Sequence, residues 1–555
     1  MTSLRRLIAL GILAASTALS SQPHADTVAA MSKSDPIVNA PAGPLQGTSE
    51  DGINVFKGIP YAAPPIRGLR WRAPLPLAVW KDVRKATAFG PACIQPRPTT
   101  QNVYTADIGA MSEDCLTLNI TAPADARNAP VFVWIHGGAL WTGGGKEALY
   151  DGTRMAKRGV IVVTINYRLG VLGWLAHPAL SAESPQHVSG NYGLLDQIAA
   201  LRWVKDNIGA FGGDASNVTV AGESAGGLSV MYLLTSPVAK GLFQKAIAES
   251  AYMVSTPELK HARYGSPSAE DIGARMAAAL QAPDIAALRV MDAETLNNAA
   301  PALGFQPFGA IDGILLPKQL VDVFDAGEQA HVPLLAGFNA GEIRSLRILA
   351  PPPPADATAY EKEIRNRYGD LADDFLRLYP SADFKESILA TTRDALYGWT
   401  AERLARKQAV IGQPSYLYLF DHGYPAADSA NLHAFHASEL PYVFGTMDRT
   451  PPNWPKIPAT AEEHALSDAM LDYWTSFART GTPQASKQPD WPVYGSDSAY
   501  MDFTDAPHPA KNLMPGMYAL HEEAVCRRKA AGSTAWNWNT GIVSPVLQKQ
   551  QTCAH

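Results

Sequence analysis

Short apolar runs, punctuated by glycine and proline, alternate with helical patterns along most of the chain. Five runs read as buried strands: Pro130–Ile135, Gly159–Ile165, Val218–Ala221, Val332–Gly337 and Ser415–Phe420. They are mostly apolar rather than alternately polar, as in strands covered on both faces. Leu194–Asn207 and Asp271–Leu280 carry helical patterns between them. Strands alternating with helices predict an α/β architecture with a mostly parallel sheet flanked by helices. Pro351–Pro354 is the strongest breaker and reads as a rigid surface loop. A length of 555 residues would suit about three or four average domains. No long linker divides the chain, so one large domain with insertions is expected.

One punctuated stretch carries chemistry. Val218–Ala221 is followed by Gly222-Glu223-Ser224-Ala225-Gly226-Gly227, and Leu228–Leu234 suits a helix that Pro237 would end. A strand, a tight glycine turn holding one serine, and a helix make the setting of a G-x-S-x-G nucleophile elbow. Gly222 and Gly226 let the backbone pass close to itself on either side of Ser224. The helix N-terminus and the N–H of Ala225 then face any negative charge that develops there. The motif alone is a weak signal, and its setting is what raises it.

Composition is that of an ordinary globular chain, 46% hydrophobic and 18% charged. The formal net charge of -6 and the absence of a basic block argue against a nucleic-acid partner. Arg5 and Arg6 precede the apolar stretch Leu7–Leu19, which is too short to span a bilayer comfortably. Residues 1–25 therefore read as a secretory signal peptide, with cleavage between Ala18 and Ala30; an uncleaved anchor helix is the alternative. An exported protein, periplasmic or secreted, is expected, with no stable membrane insertion after cleavage. Removing residues 1–25 leaves 44 basic and 52 acidic residues, a net of -8. The four cysteines, Cys93, Cys115, Cys526 and Cys553, suit disulfides in such a compartment. Of three possible connectivities the sequence-local one is adopted, Cys93–Cys115 and Cys526–Cys553. No C-x-x-C spacing points to zinc, and no cofactor is implied. Residues 35–530 are expected to form the catalytic domain, and 531–555 a tail tied by the second disulfide.

The elbow and Ser112-Glu113-Asp114-Cys115-Leu116-Thr117-Leu118-Asn119-Ile120 together resemble the two signatures of type-B carboxylesterases, the family of cholinesterases and some fungal lipases. Phe56-Lys57-Gly58-Ile59-Pro60-Tyr61-Ala62, Asn166-Tyr167-Arg168-Leu169-Gly170, Gly190–Gln197 and Phe211-Gly212-Gly213-Asp214 extend the likeness in collinear order over roughly residues 35 to 510. The resemblance implies an α/β-hydrolase fold and hydrolysis of small-molecule esters. Phe338-Asn339-Ala340-Gly341-Glu342 resembles the segment that carries the family's acid, which implies Glu342. His436-Ala437-Ser438-Glu439 resembles the catalytic-histidine segment, with Ala437 in place of the usual glycine. His433, three residues earlier, is the decoy, and an H-x-x-H pair without a third ligand is a poor metal site. Serine, acid, histidine is the α/β-hydrolase chain order.

Ester attack builds negative charge on the carbonyl oxygen, so N–H donors must face it. Gly137 and Gly138 follow the strand that ends at Ile135, and Ala225 follows the nucleophile; these are the expected oxyanion donors. Ser250 resembles a family serine that hydrogen-bonds the acid, with Ala251 where glycine is usual. Glu223 is a candidate for a buried polar network. For both, a structural role competes with a catalytic one.

The Cys93–Cys115 segment corresponds to the family's flap beside the active-site mouth. Residues 94–114 contain no tryptophan, only Tyr104, and are short and polar. That disfavours choline esters and interfacial lipase action, unless an aromatic such as Trp141 or Tyr442 lines the site. Carbamate or amide hydrolysis by the same route, including xenobiotic or toxin esters, is the competing enzymatic reading. A catalytically silent cholinesterase-like binding protein is the competing reading of another class.

Overall fold

The computed structural model describes residues 35–97, 100–536, 539–550 and 553. The expected signal peptide lies outside the described residues. Eleven strands form one sheet, numbered here in chain order. They are β1 (Thr48–Glu50), β2 (Ile53–Pro60), β3 (Thr117–Pro123), β4 (Ala129–Ile135), β5 (Ile161–Ile165), β6 (Gly213–Glu223), β7 (Lys245–Glu249), β8 (Leu334–Asn339), β9 (Ser415–Phe420), β10 (Ala499–Phe503) and β11 (Pro507–Lys511). The spatial order is β11-β10-β9-β8-β7-β6-β4-β5-β3-β2-β1. Pairings from β5 across to β10 are parallel, and the strands at both edges are antiparallel. This is the mostly parallel sheet of an α/β-hydrolase.

The continuous apolar character of the central strands has a direct cause. Along β4, Val131, Val133 and Ile135 enter the core on one face, while Phe132 and Trp134 enter the core on the other. The same division separates Ala246 and Ala248 from Ile247 on β7. Side chains alternate faces with period two and both faces are covered, so apolar residues fill both faces and the few polar ones, such as Thr164 and Thr219, are buried. Helices α1 (Tyr192–Asn207) and α2 (Ala225–Thr235) contribute to the first core. Helix α3 (Ala461–Thr480) contributes Leu466, Met470, Trp474 and Phe477 to the second.

Both disulfides join the sequence-local pairs, Cys93–Cys115 and Cys526–Cys553. The tail packs on the body: Ile542 and Leu547 share a core with Tyr360 and Tyr368. Among the described residues no helix is long and apolar enough to cross a membrane.

Candidate active site

All the expected catalytic residues lie beyond the C-terminal ends of parallel strands, where open α/β sheets hold their ligands. Ser224 follows β6 and precedes α2. Its backbone is forced to φ 57 and ψ -119, a strained conformation for a residue with a side chain. Two glycines make the turn possible. A Cβ on Gly226 would stand 2.0 Å from the Ile135 carbonyl oxygen, and one on Gly222 would stand 2.6 Å from the Gly226 carbonyl carbon. The Ser224 N–H donates to the Glu249 carbonyl at 3.0 Å, which ties the turn to β7.

Glu342 opens a short helix two residues after β8. It is fully buried, and its Oε1 accepts the Asn339 N–H at 2.8 Å. Its Oε2 accepts a short hydrogen bond from His436 Nδ1. That bond fixes the imidazole so that Nε2 is the working nitrogen. The loop carrying His436 is stitched to the acid's loop. Gly341 N–H donates to Ala434 O, and Asn339 Nδ2 donates to Phe435 O, both at 2.8 Å. Tyr104 of the flap donates its hydroxyl to the His436 carbonyl at 2.9 Å. His433 is held elsewhere, between Asp421 and Asp428 at 2.9 and 3.0 Å.

Glu223 brings a second carboxylate to the base. Its Oε1 lies 2.9 Å from His436 Nε2, without the alignment of a hydrogen bond. Burial alone would lower the His436 pKa, but Glu223 and Glu342 together hold it well above the usual imidazole range. The charges of both carboxylates favour the protonated imidazole. Glu223→Gln removes one of the two charges that raise the histidine pKa. The acid limb of kcat/KM is then expected to move to lower pH, by about one unit or more. A pH–rate profile of the variant checks this; a limb that stays in place or moves upward contradicts it.

The turn after β4 borders the same site. A Cβ on Gly137 would meet Glu223 Oε2 at 2.8 Å and Ser224 Cβ at 3.2 Å, so this backbone runs directly against Ser224. Gly138 has φ 98, and Ala139 follows in the left-handed region at φ 55. The amides of Gly138 and Ala139 have no intramolecular acceptor among the described residues. Ala139 lies outside the set expected from the sequence, Gly137, Gly138 and Ala225. Ala225 heads α2, so its N–H is among those with no intrahelical partner. Buried His136 stays neutral, its pKa lowered to about 4 by burial against a weaker opposing bond to Gly137 O. Ser250 differs from expectation. It is buried at φ 44, and its Oγ makes no hydrogen bond to Glu342 or to any other described group.

A cavity of about 950 Å³ opens over Ser224, Gly137, Gly138, Ala139 and His436. Flap residues Gln95, Thr100, Asn102 and Tyr104 form part of its wall, and Trp141 and Trp454 line it as well. Tyr442 does not. It is buried in the core, with its hydroxyl donated to Glu463.

The sequence matches the carboxylesterase family over residues 34–519. The chain belongs to that family. The para-nitrobenzyl esterase of Bacillus subtilis (strain 168) is 39% identical over 479 residues, covering 83% of this chain and 93% of that one. The fumonisin B1 esterase of Sphingopyxis macrogoltabida is 36% identical over 479 residues, covering 83% and 85%. A solved PNB esterase superposes with a TM-score of 0.76 at 36% identity, covering 88% of this chain and 99% of that structure. This carboxylesterase is a carboxylic ester hydrolase with the α/β-hydrolase fold.

Proposed function

We propose that the carboxylesterase works through an acyl-enzyme on Ser224, with His436 as general base and acid and Glu342 as its orienting partner. The carrying observation is the meeting, in one cavity, of the strained Ser224 turn, a histidine fixed by a buried glutamate, and a turn of unpartnered amides. His436 Nε2 takes the Ser224 proton as Oγ attacks the ester carbonyl. For this the imidazole must be neutral and must face Oγ rather than Glu223. The oxyanion is held by the amide of Ala225 and by the turn at Gly137 and Gly138, to which Ala139 is added. Each such donor supplies about 3–4 kcal/mol by mutational loss. His436 then returns the proton to the leaving alcohol. Water, deprotonated by the same histidine, releases the acid and restores Ser224. No cofactor or metal is called for in this sequence of steps.

Short-to-medium acyl esters of fairly bulky alcohols are the proposed substrates. The flap is short and polar, which does not suit an interfacial lid. Choline esters stay among the candidate substrates, because Trp141 and Trp454 put aromatic faces in the wall without any flap tryptophan. Carbamate or amide hydrolysis uses the same groups, and matched ester and anilide substrates separate the two. A silent binding role is disfavoured by the short His436–Glu342 bond beside Ser224. Export to a periplasmic or extracellular compartment is proposed on the two disulfides. The test of the mechanism is covalent. A fluorophosphonate is expected to label one serine, Ser224, and to abolish p-nitrophenyl butyrate hydrolysis in step. Labelling elsewhere, or full labelling with activity retained, overturns the proposal.

A further inference from the structure

The active-site cavity holds a carboxylate for which the hydrolytic steps have no use. Glu147 lines the wall that runs from the Gly137–Ala139 turn to Tyr150. Its Oε1 accepts the Gly144 N–H at 3.1 Å, and its Oε2 has no donor among the described residues. Glu223 lines the same cavity and is 4% exposed; its Oε1 lies 2.9 Å from His436 Nε2 and has no hydrogen-bond donor among the described residues. The chamber around them is walled by rings, among them Tyr104, Trp141, Tyr150 and Trp454. Arg97, also in the lining, is paired at 3.8 Å with Glu294 and is well exposed. Glu147 thus presents a free carboxylate oxygen to a chamber walled by aromatic rings, with Lys146 a minor influence on its charge and His436 paired with Glu223 instead.

We propose that Glu147 is a subsite for a primary or secondary ammonium group carried by the substrate. The inference rests on the ester-hydrolase reading above and adds a substrate class to it. An N–H-bearing cation can donate to Glu147 Oε2 while its charge lies against the aromatic faces. A quaternary ammonium can use the rings but has no hydrogen to donate, so it gains less.

The ionisation of Glu147 supports the same site. Its pKa is raised to about 7, chiefly by burial, with the Gly144 N–H opposing, Glu223 adding to the rise and Lys146 opposing. Tyr150 and Tyr167 are the remaining titratable groups that feel its charge, and both have phenol pKa values held well above 10 by burial. Below about pH 7 the carboxyl is neutral and attracts no cation; above it the carboxylate is present. A benzylic ammonium stays protonated through that range, so its binding strengthens as pH rises from 6 to 8.

The test uses three butyrate esters of one phenol bearing aminomethyl, hydroxymethyl or trimethylammoniomethyl at the meta position. At pH 8 the parent enzyme is expected to show kcat/KM at least tenfold higher for the aminomethyl than for the hydroxymethyl ester. The trimethylammonio ester is expected to gain less than threefold. Glu147→Gln keeps the acceptor for Gly144 but loses the charge, and the tenfold ratio should collapse toward one. In the parent the ratio should also fall when the pH is lowered to 6, a measurement that needs no variant. An unchanged ratio in Glu147→Gln, an unchanged ratio at pH 6, or a trimethylammonio ester as good as the aminomethyl one overturns the proposal. Benzylammonium binding to Ser224→Ala, read by tryptophan fluorescence, separates this inference from the reading beneath it. Binding that Glu147→Gln abolishes, with none of the three esters hydrolysed by the parent, would sink the serine mechanism and leave the subsite standing. Hydrolysis of the neutral ester with no benzylammonium binding would do the reverse.

Discussion

Ser224→Ala is expected to lower kcat for p-nitrophenyl butyrate by about 10⁴-fold or more while the protein still folds. The variant removes the atom that forms the covalent bond and nothing that holds the turn. The turn is held by the Ser224 N–H on Glu249 O and by the two glycines whose place no side chain could take. The hydroxyl itself makes no hydrogen bond among the described residues, so its loss strands no partner. Alanine at φ 57 bears the same backbone strain as serine, because that strain arises at Cβ. Circular dichroism and the melting temperature should therefore match the parent within a few degrees. Turnover within about tenfold of the parent would remove Ser224 from its assigned role.

His436→Ala is expected to cost nearly as much, whereas His433→Ala should leave kcat within about threefold of the parent. Residues that act as one unit show similar single losses, because removing either ends the same step. His436 is buried and bonded to Glu342. His433 is about two-fifths exposed and clamped by Asp421 and Asp428, which raise its pKa chiefly through the Asp421 hydrogen bond. Both its ring nitrogens are turned to those carboxylates, and it does not line the cavity that holds Ser224, so it is not placed to accept the serine proton. The reverse ranking in a kinetic comparison of the two variants would assign the base to His433.

The parts of the fold that were legible in the sequence are those in which local chemistry and global packing agree. Ser415–Phe420 is a strand over its expected bounds because all six residues are buried between two layers. The expected strand Val332–Gly337 instead runs from Leu334 to Asn339. Pro333 has no N–H to offer a ladder, and pairing with Leu419 and Phe420 carries the strand onward. The strand before the elbow is longer than the apolar run suggested, since polar residues 213–217 join it across a register shift. The elbow, the acid and the base could be named because turn glycines and family motifs mark them. Ala139 and Glu147 could not, since neither has a local signature. The first matters through an unusual φ, the second through a cavity wall built from segments as distant as Gln95, Leu349 and Trp454.

The stitching of the acid's loop to the base's loop has a consequence for folding kinetics. Gly341 pairs with Phe435 as an isolated parallel bridge, closed by the Asn339 amide. This joint can form only after β8 and β9 have come together in register, and contacts between such distant segments are slow to gain because loop closure must precede them. Ser224 sits on a different pair of strands. In a refolding experiment with the disulfides intact, far-ultraviolet ellipticity should therefore return first and hydrolysis last. The lag between them would time the closing of this one joint.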